Sequence, residues 1–259
     1  MLTILAADIM ERFYTLMWPM LRISALMVTA PILSQHAFNL RMRILLALAL
    51  TWMIYPLHKW PLVDPTSAQG LLEVFNQLMI GAMMGLILQV VVAAVVLAGQ
   101  SIATAMGLSM ANMLDPNMGN VPVISQFLIV MSTLIFVGFG GHAILLGLVS
   151  ESFTSLPIGT SLLNQEVYGQ VLRWSSMMFL GALLMALPVM ISLLFINVGL
   201  GVVTRAAPSL NIFALGFPAM IMAGFLILII SMQSIGIRIE WVWTQGFTVL
   251  RSVLGVAHG

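Results

Sequence analysis

Charge is what this sequence has least of. Only 7% of its 259 residues are Asp, Glu, Lys or Arg, where a soluble domain carries about 25%. A folded surface with so few charges does not stay in water, so the chain's solvent is lipid or apolar protein. Cysteine is absent altogether, which excludes a disulfide framework and a thiolate nucleophile or ligand and leaves the redox compartment open. The formal net charge is +1, without the basic excess that a nucleic-acid-binding face demands. Catalytic signatures are missing too. There is no Gly-x-Ser-x-Gly, no pair of intramembrane Asp residues and no His-Glu-x-x-His, and His36, His58, His142 and His258 are scattered. No catalytic residue, metal site or cofactor is expected, and an enzyme is not the reading.

Apolar residues fill the space that charge leaves. They make up 61% of the chain, with 22 Met among them, and the mean hydropathy is +1.11. A spanning helix needs roughly 20 apolar residues to cross about 30 Å of hydrocarbon. Six segments qualify as candidates, near 13–33, 42–57, 74–98, 123–149, 175–203 and 213–237. Asp8, Glu11 and Arg12 precede the first, where a cleaved signal peptide wants a basic start, so a retained first helix is expected. The connections "PLHKWPLVDPTSAQG" (56–70), "SLPIGTSLLNQEVYGQ" (155–170) and "RAAPSLN" (205–211) are too short to be soluble domains. The fold class is an all-α integral membrane protein of about six long hydrophobic helices and hairpins, one unit over 1–259. In a six-span arrangement Arg12, Lys59, Arg173, Arg238 and Arg251 fall on one side and Arg41, Arg43 and Arg205 on the other. That bias is too weak to orient the chain, and with the mixed segment lengths it suggests helices that do not all span conventionally.

Arg22 lies inside the first apolar run, where it must face protein, water or the headgroups; snorkelling from near a helix end is the expectation. Gly81 and Gly85 form a Gly-x-x-x-Gly that lets helices approach closely. Gln77, Gln89 and Gln100 recur at spacings of 12 and 11, close to three helical turns, and are expected to share a packing face. His142 and Glu151 lie nine residues apart, and the expectation for His142 is a packed or interfacial side chain rather than metal or proton chemistry.

One stretch breaks the apolar pattern. From Val74 to Ser150, 77 positions, Asp115 is the only charged residue, and it sits in "GLSMANMLDPNMGNVP" (107–122). Pro116 and Pro122 disfavour helix at the residues before them, so 115–122 is expected to be irregular. Met106, Met110 and Met113 are spaced four and three apart, which a helix entering the loop would place on one face. Met118 follows the Asp-Pro. An ordinary connection with a packing Met stripe is one account. The other uses the softness of thioethers, which repack around different surfaces without voids and could close a pore yet yield to a passing chain.

At these residues the chain resembles the FliR family of flagellar biosynthesis proteins, which also includes the type III secretion export-gate subunits of injectisomes. The resemblance runs along nearly the whole length. It is carried by "EVFNQLMIGAMMGLILQ", "AGQSIATAMGLSMANMLDP", "FVGFGGHAILLGLVSESFTSLPIG" and above all "LGVVTRAAPSLNIFALGFP" (200–218), in which Ser209 stands where family members often carry Gln. The resemblance implies a non-enzymatic membrane subunit of the export gate at the basal body, in the inner membrane. It would assemble with FliP and FliQ, beside other export proteins such as FlhB and membrane lipid, and pass unfolded rod, hook and filament proteins. It implies a FliP-like part over about 1–170 and a FliQ-like hairpin over about 171–259, in a helical cone lifted largely out of the bilayer plane. The loop 106–123 would plug the pore through Met106, Met110, Met113, Leu114, Asp115, Pro116 and Met118. Family members often have Phe near the position of Met110. Gly81, Gly85, Gln89 and Gln100 would serve packing, and Arg205, Pro208 and Asn211 the hairpin turn. An injectisome subunit and a small-molecule or ion transporter are the alternatives, the latter wanting paired intramembrane charges and internal repeats.

Overall fold

The computed structural model describes residues 2–31, 39–108, 122–160, 165–206 and 212–256. Among them every regular element is a helix: α1 (Leu2–Thr29), α2 (Leu40–Ile54, extended by a 3-10 turn at Tyr55–Leu57), α3 (Ala68–Ala105), α4 (Val123–Gly138), α5 (Gly141–Ser155), α6 (Gln165–Ser175), α7 (Met177–Ala206) and α8 (Ile212–Leu254). Among the described residues four stretches are long and apolar enough to cross a membrane: Leu40–Leu57, Ala68–Ala105, Gln165–Arg205 and Gly216–Leu254. The broken pair α4 and α5 makes up to five.

Three sequence expectations need correction. The apolar run 123–149 is two helices, not one. The chain breaks at Phe139–Gly140, where Gly140 adopts φ +77°, a left-handed conformation that side chains with a Cβ resist. The connection 155–170 is partly helical, because α6 starts at Gln165; Glu166 in its first turn and Arg173 in its last oppose the helix dipole favourably. The last segment does not stop at 237. It continues through Arg238 and Glu240 to Leu254, since an Arg or a Glu is a good helix former and only the lipid, not the backbone, objects to it.

The chain divides into two compact units. The first comprises Met1–Val90, Gly140–Ser175 and Gln245–Gly259, the second Val91–Phe139 and Ser176–Thr244. Each therefore takes residues from before and after position 170. In the first unit, Trp18, Ile23 and Leu26 of α1 are buried with Ile80, Met84 and Ile87 of α3. Trp174 joins this core and donates its indole N–H to the Ile87 carbonyl at 2.8 Å. In the second unit, Val95 and Ile102 of α3, Leu128 of α4, Met185 and Val189 of α7 and Ile235 and Trp243 of α8 are buried. Here Trp243 Nε1 donates to Ser132 Oγ at 2.9 Å, and its ring lies 4.7 Å from that of Phe136. A buried indole needs such an acceptor. Outside these cores large apolar side chains stay exposed, among them Trp52, Leu134, Phe195 and Ile230, as expected of helices whose remaining surface meets lipid or other apolar helices.

Candidate functional site

The polar break begins where α3 ends, and the local geometry says why it ends there. Leu108 N–H reaches back to the Ala103 carbonyl at 3.0 Å and Gly107 N–H to the Thr104 carbonyl at 3.0 Å. Gly107 has φ +82°. This is the Schellman arrangement, in which a glycine in the left-handed region satisfies the last carbonyls and turns the chain away. The Phe217 ring lies 3.5 Å from the place a Cβ would occupy, an ordinary contact, so it is the positive φ that would strain a side chain here.

Met106, immediately before that glycine, is fully buried. It packs on α8 at Gly224, where a Cβ would come within 2.5 Å of the thioether arm. α3 ends at Ala105, before the expected methionine stripe. Met110, Met113, Leu114, Asp115, Pro116 and Met118 lie outside the described residues, as do Pro208 and Asn211. On the far side of the break, Pro122 caps α4 with φ −57°. Just beyond it Ser125 is buried and donates from Oγ to the Val96 carbonyl at 3.1 Å. Gly99 makes that approach possible, since a Cβ there would sit 2.6 Å from Ser125 Oγ. Both ends of the break are thus fixed on packed helices. Gly99 lies in the "AGQ" of the sequence, but nothing local distinguished it from the other glycines.

The first unit holds a buried polar knot. Gly81 faces the Arg22 carbonyl and Ala25 Cβ, and Gly85 faces Thr29, so the Gly-x-x-x-Gly of α3 receives α1 at close range. Arg22 itself is fully buried, which overturns the snorkelling expectation. Its Nε donates to Gln77 Oε1 at 2.7 Å, Nη1 to the Ser152 carbonyl at 2.7 Å and to Ser152 Oγ at 2.9 Å, and Nη2 to the Leu156 carbonyl at 2.8 Å. The guanidinium carbon lies 4.2 Å from the centre of the Phe153 ring. Gln77 passes the interaction on, donating from Nε2 to Glu73 Oε1. Cation, amide and carboxylate therefore form one chain, and the cation sits at the carbonyl end of α5, where the helix dipole favours it.

The three glutamines do not share a face. Gln77 is buried, Gln89 exposed and Gln100 half-buried. Twelve residues at about 100° each leave a rotation of about 120°, so Gln89 is carried off the side that Gln77 occupies. His142 and Glu151 of α5 are both exposed, and among the described residues no group of His, Asp and Glu is arranged to hold a metal. Arg205 is exposed in the last turn of α7, where a cation suits the helix end.

Comparison with known proteins places this geometry. The sequence profile of "Bacterial export proteins, family 1" matches residues 13–245. The flagellar biosynthetic protein FliR of Escherichia coli (strain K12) is 35% identical over 238 residues, 92% of this chain and 91% of that protein. FliR of Pectobacterium carotovorum subsp. carotovorum is 32% identical over 255 residues, 98% of each. FliR of Bacillus subtilis (strain 168) is 30% identical over 253 residues, 96% and 98% respectively. The whole second unit, the broken helix pair and the polar break fall within the matched range. The chain is a helical membrane protein that belongs to the bacterial export proteins, family 1, the family of the flagellar biosynthetic protein FliR.

Proposed function

We propose that the chain is a non-enzymatic subunit of the flagellar type III export gate, in the inner membrane at the basal body. With FliP and FliQ, and beside FlhB, it forms the channel through which unfolded rod, hook and filament proteins leave, and the segment 106–123 closes that channel at rest. The observation that carries the reading is membership of an export family across 13–245, a range that contains the whole polar break. The flagellar names of the relatives favour a flagellum over an injectisome. A FliP-like part up to about 170, followed by a FliQ-like hairpin turning near Arg205, Pro208 and Asn211, is part of the same proposal.

The physical requirement is a seal that stops ions and yields to any extended polypeptide. Hydrogen-bonded selectivity would hinder passage, whereas thioethers adapt their packing without leaving voids. Asp115 then faces water or caps the Asp-Pro turn, because an unpaired carboxylate in hydrocarbon is expensive. The burial of Met106 and the turn at Gly107 support a segment held firmly at its entrance.

Deleting residues 110–118 tests the reading. The variant is expected to enter the complex, judged by co-purification with FliP and FliQ, and to raise ion leak through the membrane of resting cells. Unchanged leak together with normal emergence of flagellar substrates removes the plug assignment. Purification as a lone monomer that binds neither partner removes the gate assignment as a whole.

A further inference from the structure

A cavity of about 350 Å³ opens in the first unit, where Phe153 borders the buried polar knot. Its walls are His58, Trp60 and Pro61 from the connection between α2 and α3 and Phe153, Pro157 and Ile158 from the end of α5, joined by the exposed Lys59. Connecting segments are ordinarily the mobile part of a surface, but this one is pinned. The Trp60 ring stacks on Tyr55 at 6.0 Å, and its Nε1 donates to the Tyr55 carbonyl at 2.8 Å. Tyr55 is tied through its hydroxyl to Thr15 Oγ1 at 2.8 Å. His58 Nε2 lies 3.2 Å from Ser150 Oγ, and the Trp60 and Phe153 rings meet edge to face at 5.1 Å. Phe153 is itself held under the Arg22 guanidinium. An aromatic cleft fixed in this way loses little further freedom when a ligand enters.

Backbone and charge together say which ligand. His58 is extended, with φ −129° and ψ 155°, and residues 59–64 have no regular structure. Among the described residues the main-chain groups of Lys59 and Trp60 make no backbone hydrogen bond. An open length of extended chain beside an apolar cleft is how proteins take up extended peptides, with main-chain bonds along the edge and a side chain in the pocket. The volume is near the lower end of the ligand-pocket range of about 300–1,000 Å³, which suits a residue or two rather than a large cofactor. Lys59 has no carboxylate partner among the described residues. Asp64 is occupied by Thr66, which donates from its N–H at 2.9 Å and its hydroxyl at 2.8 Å. Glu151 stands two positions from Phe153, about 200° around α5. The cleft therefore presents a cation that an acidic segment would satisfy.

We infer that this cleft binds an extended segment of another polypeptide, with an aliphatic side chain against Trp60 and Phe153 and a neighbouring Asp or Glu at Lys59. The inference does not depend on the gate reading, since the cleft would take such a segment whatever the rest of the chain does.

The full-length chain, expressed by itself and purified in detergent, is titrated against fluorescein-labelled Gly-Ser-Pro-Leu-Asp-Asp-Gly-Ser and against the same peptide with Asn-Asn or Lys-Lys in place of Asp-Asp, read by fluorescence anisotropy. The acidic peptide is expected to bind most tightly and the basic one least. Lys59→Gln weakens the acidic peptide about fivefold, the upper end for one exposed ion pair, and leaves the Asn peptide unchanged. Lys59→Glu reverses the order of the acidic and basic peptides, and the exposed position keeps the fold intact. Trp60→Ala weakens all three at least about thirtyfold, the scale of a hot-spot aromatic. Where Trp60→Ala does not fold, Ile158→Trp fills the cavity and must give a loss of the same kind. N-methylating the Leu and the first Asp of the peptide weakens binding, because pairing along the edge needs those N–H groups. Four outcomes overturn the inference. One is no binding, or equal affinity for the three peptides. Another is wild-type preference in Lys59→Glu. A third is N-acetyl-leucine binding as tightly as the acidic peptide, which makes the cleft a small-molecule pocket. The last is self-association by light scattering that Lys59→Glu abolishes, which assigns the cleft to a second copy of this chain.

Discussion

Replacing Arg22 by methionine keeps most of the apolar stem and removes the guanidinium. Four hydrogen bonds are lost, to Gln77 Oε1, the Ser152 carbonyl, Ser152 Oγ and the Leu156 carbonyl. Their former partners are not equally orphaned. The Ser152 carbonyl still accepts from Leu156 N–H at 3.0 Å, and Ser152 Oγ still donates to the Val149 carbonyl at 2.7 Å. The loss concentrates in the Leu156 carbonyl and in Glu73, which keeps Gln77 but loses the positive charge behind it while only 4% exposed. Side-chain hydrogen bonds inside membrane proteins are worth about 0.6–1.7 kcal/mol each, so four give roughly 2–7 kcal/mol. Breaking one side of a buried charge pair costs about 3–5 kcal/mol. The overlap sets the expectation for Arg22→Met at about 3–5 kcal/mol. Glu73→Gln in the same background is expected to return about 1–2 kcal/mol, since it removes the stranded charge. Detergent-denaturant titration of the purified protein, followed by tryptophan fluorescence, measures the wild type and both variants. An Arg22→Met protein within about 0.5 kcal/mol of wild type, the range of ordinary surface substitutions, would refute the reasoning and return Arg22 to the headgroups.

Two glycine substitutions should separate backbone crowding from side-chain crowding. Gly81→Ala drives a methyl into the α1 backbone at Arg22 and is expected to cost about 1–3 kcal/mol in the same titration. The nearest atoms to Gly224→Ala belong to the flexible Met106 side chain, so it should cost less than Gly81→Ala; the reverse order would mean that Met106 cannot move. Trp243→Phe removes the donor to Ser132, itself buried, and is expected to cost about 1–3 kcal/mol, with Ser132→Ala in the same background adding little.

Composition alone decided the solvent of this chain, and apolar run length located most helices. Where the reading failed, the missing information was non-local or angular. The partners of Arg22 lie 55 and 130–134 residues away, so nothing near Arg22 in sequence marks it as buried. The break at Gly140 lies in a run as apolar as an unbroken helix, and only its φ of +77° reveals the turn. The glutamines failed for a simpler reason: three turns are close to eleven residues, not twelve. The Gly81–Gly85 pair was legible because small-residue spacing is itself the packing signal. Gly99, doing similar work against Ser125, has Ala103 and not a second Gly four residues on, a commoner and so less telling form of the same signal.

The methionines of the polar break should also divide by what the fold asks of them. Met106 precedes the turn and is fully buried on α8, so it has a structural task whatever lies beyond. Met106→Ala empties a packed position and is expected to cost about 2–5 kcal/mol, read in the denaturant titration as lost stability. Met110, Met113 and Met118 follow the turn and belong to the proposed seal. Changing them together to Leu keeps apolar volume but removes thioether flexibility. That variant is expected to hold ions at rest, retain wild-type stability and slow substrate export. Changing them together to Ser removes the apolar contact itself and is expected to raise ion leak with stability again unchanged. The assignment fails if the Ser variant leaks no more than wild type, because the segment after Gly107 then contributes nothing to closure and its methionines are spacers in a loop.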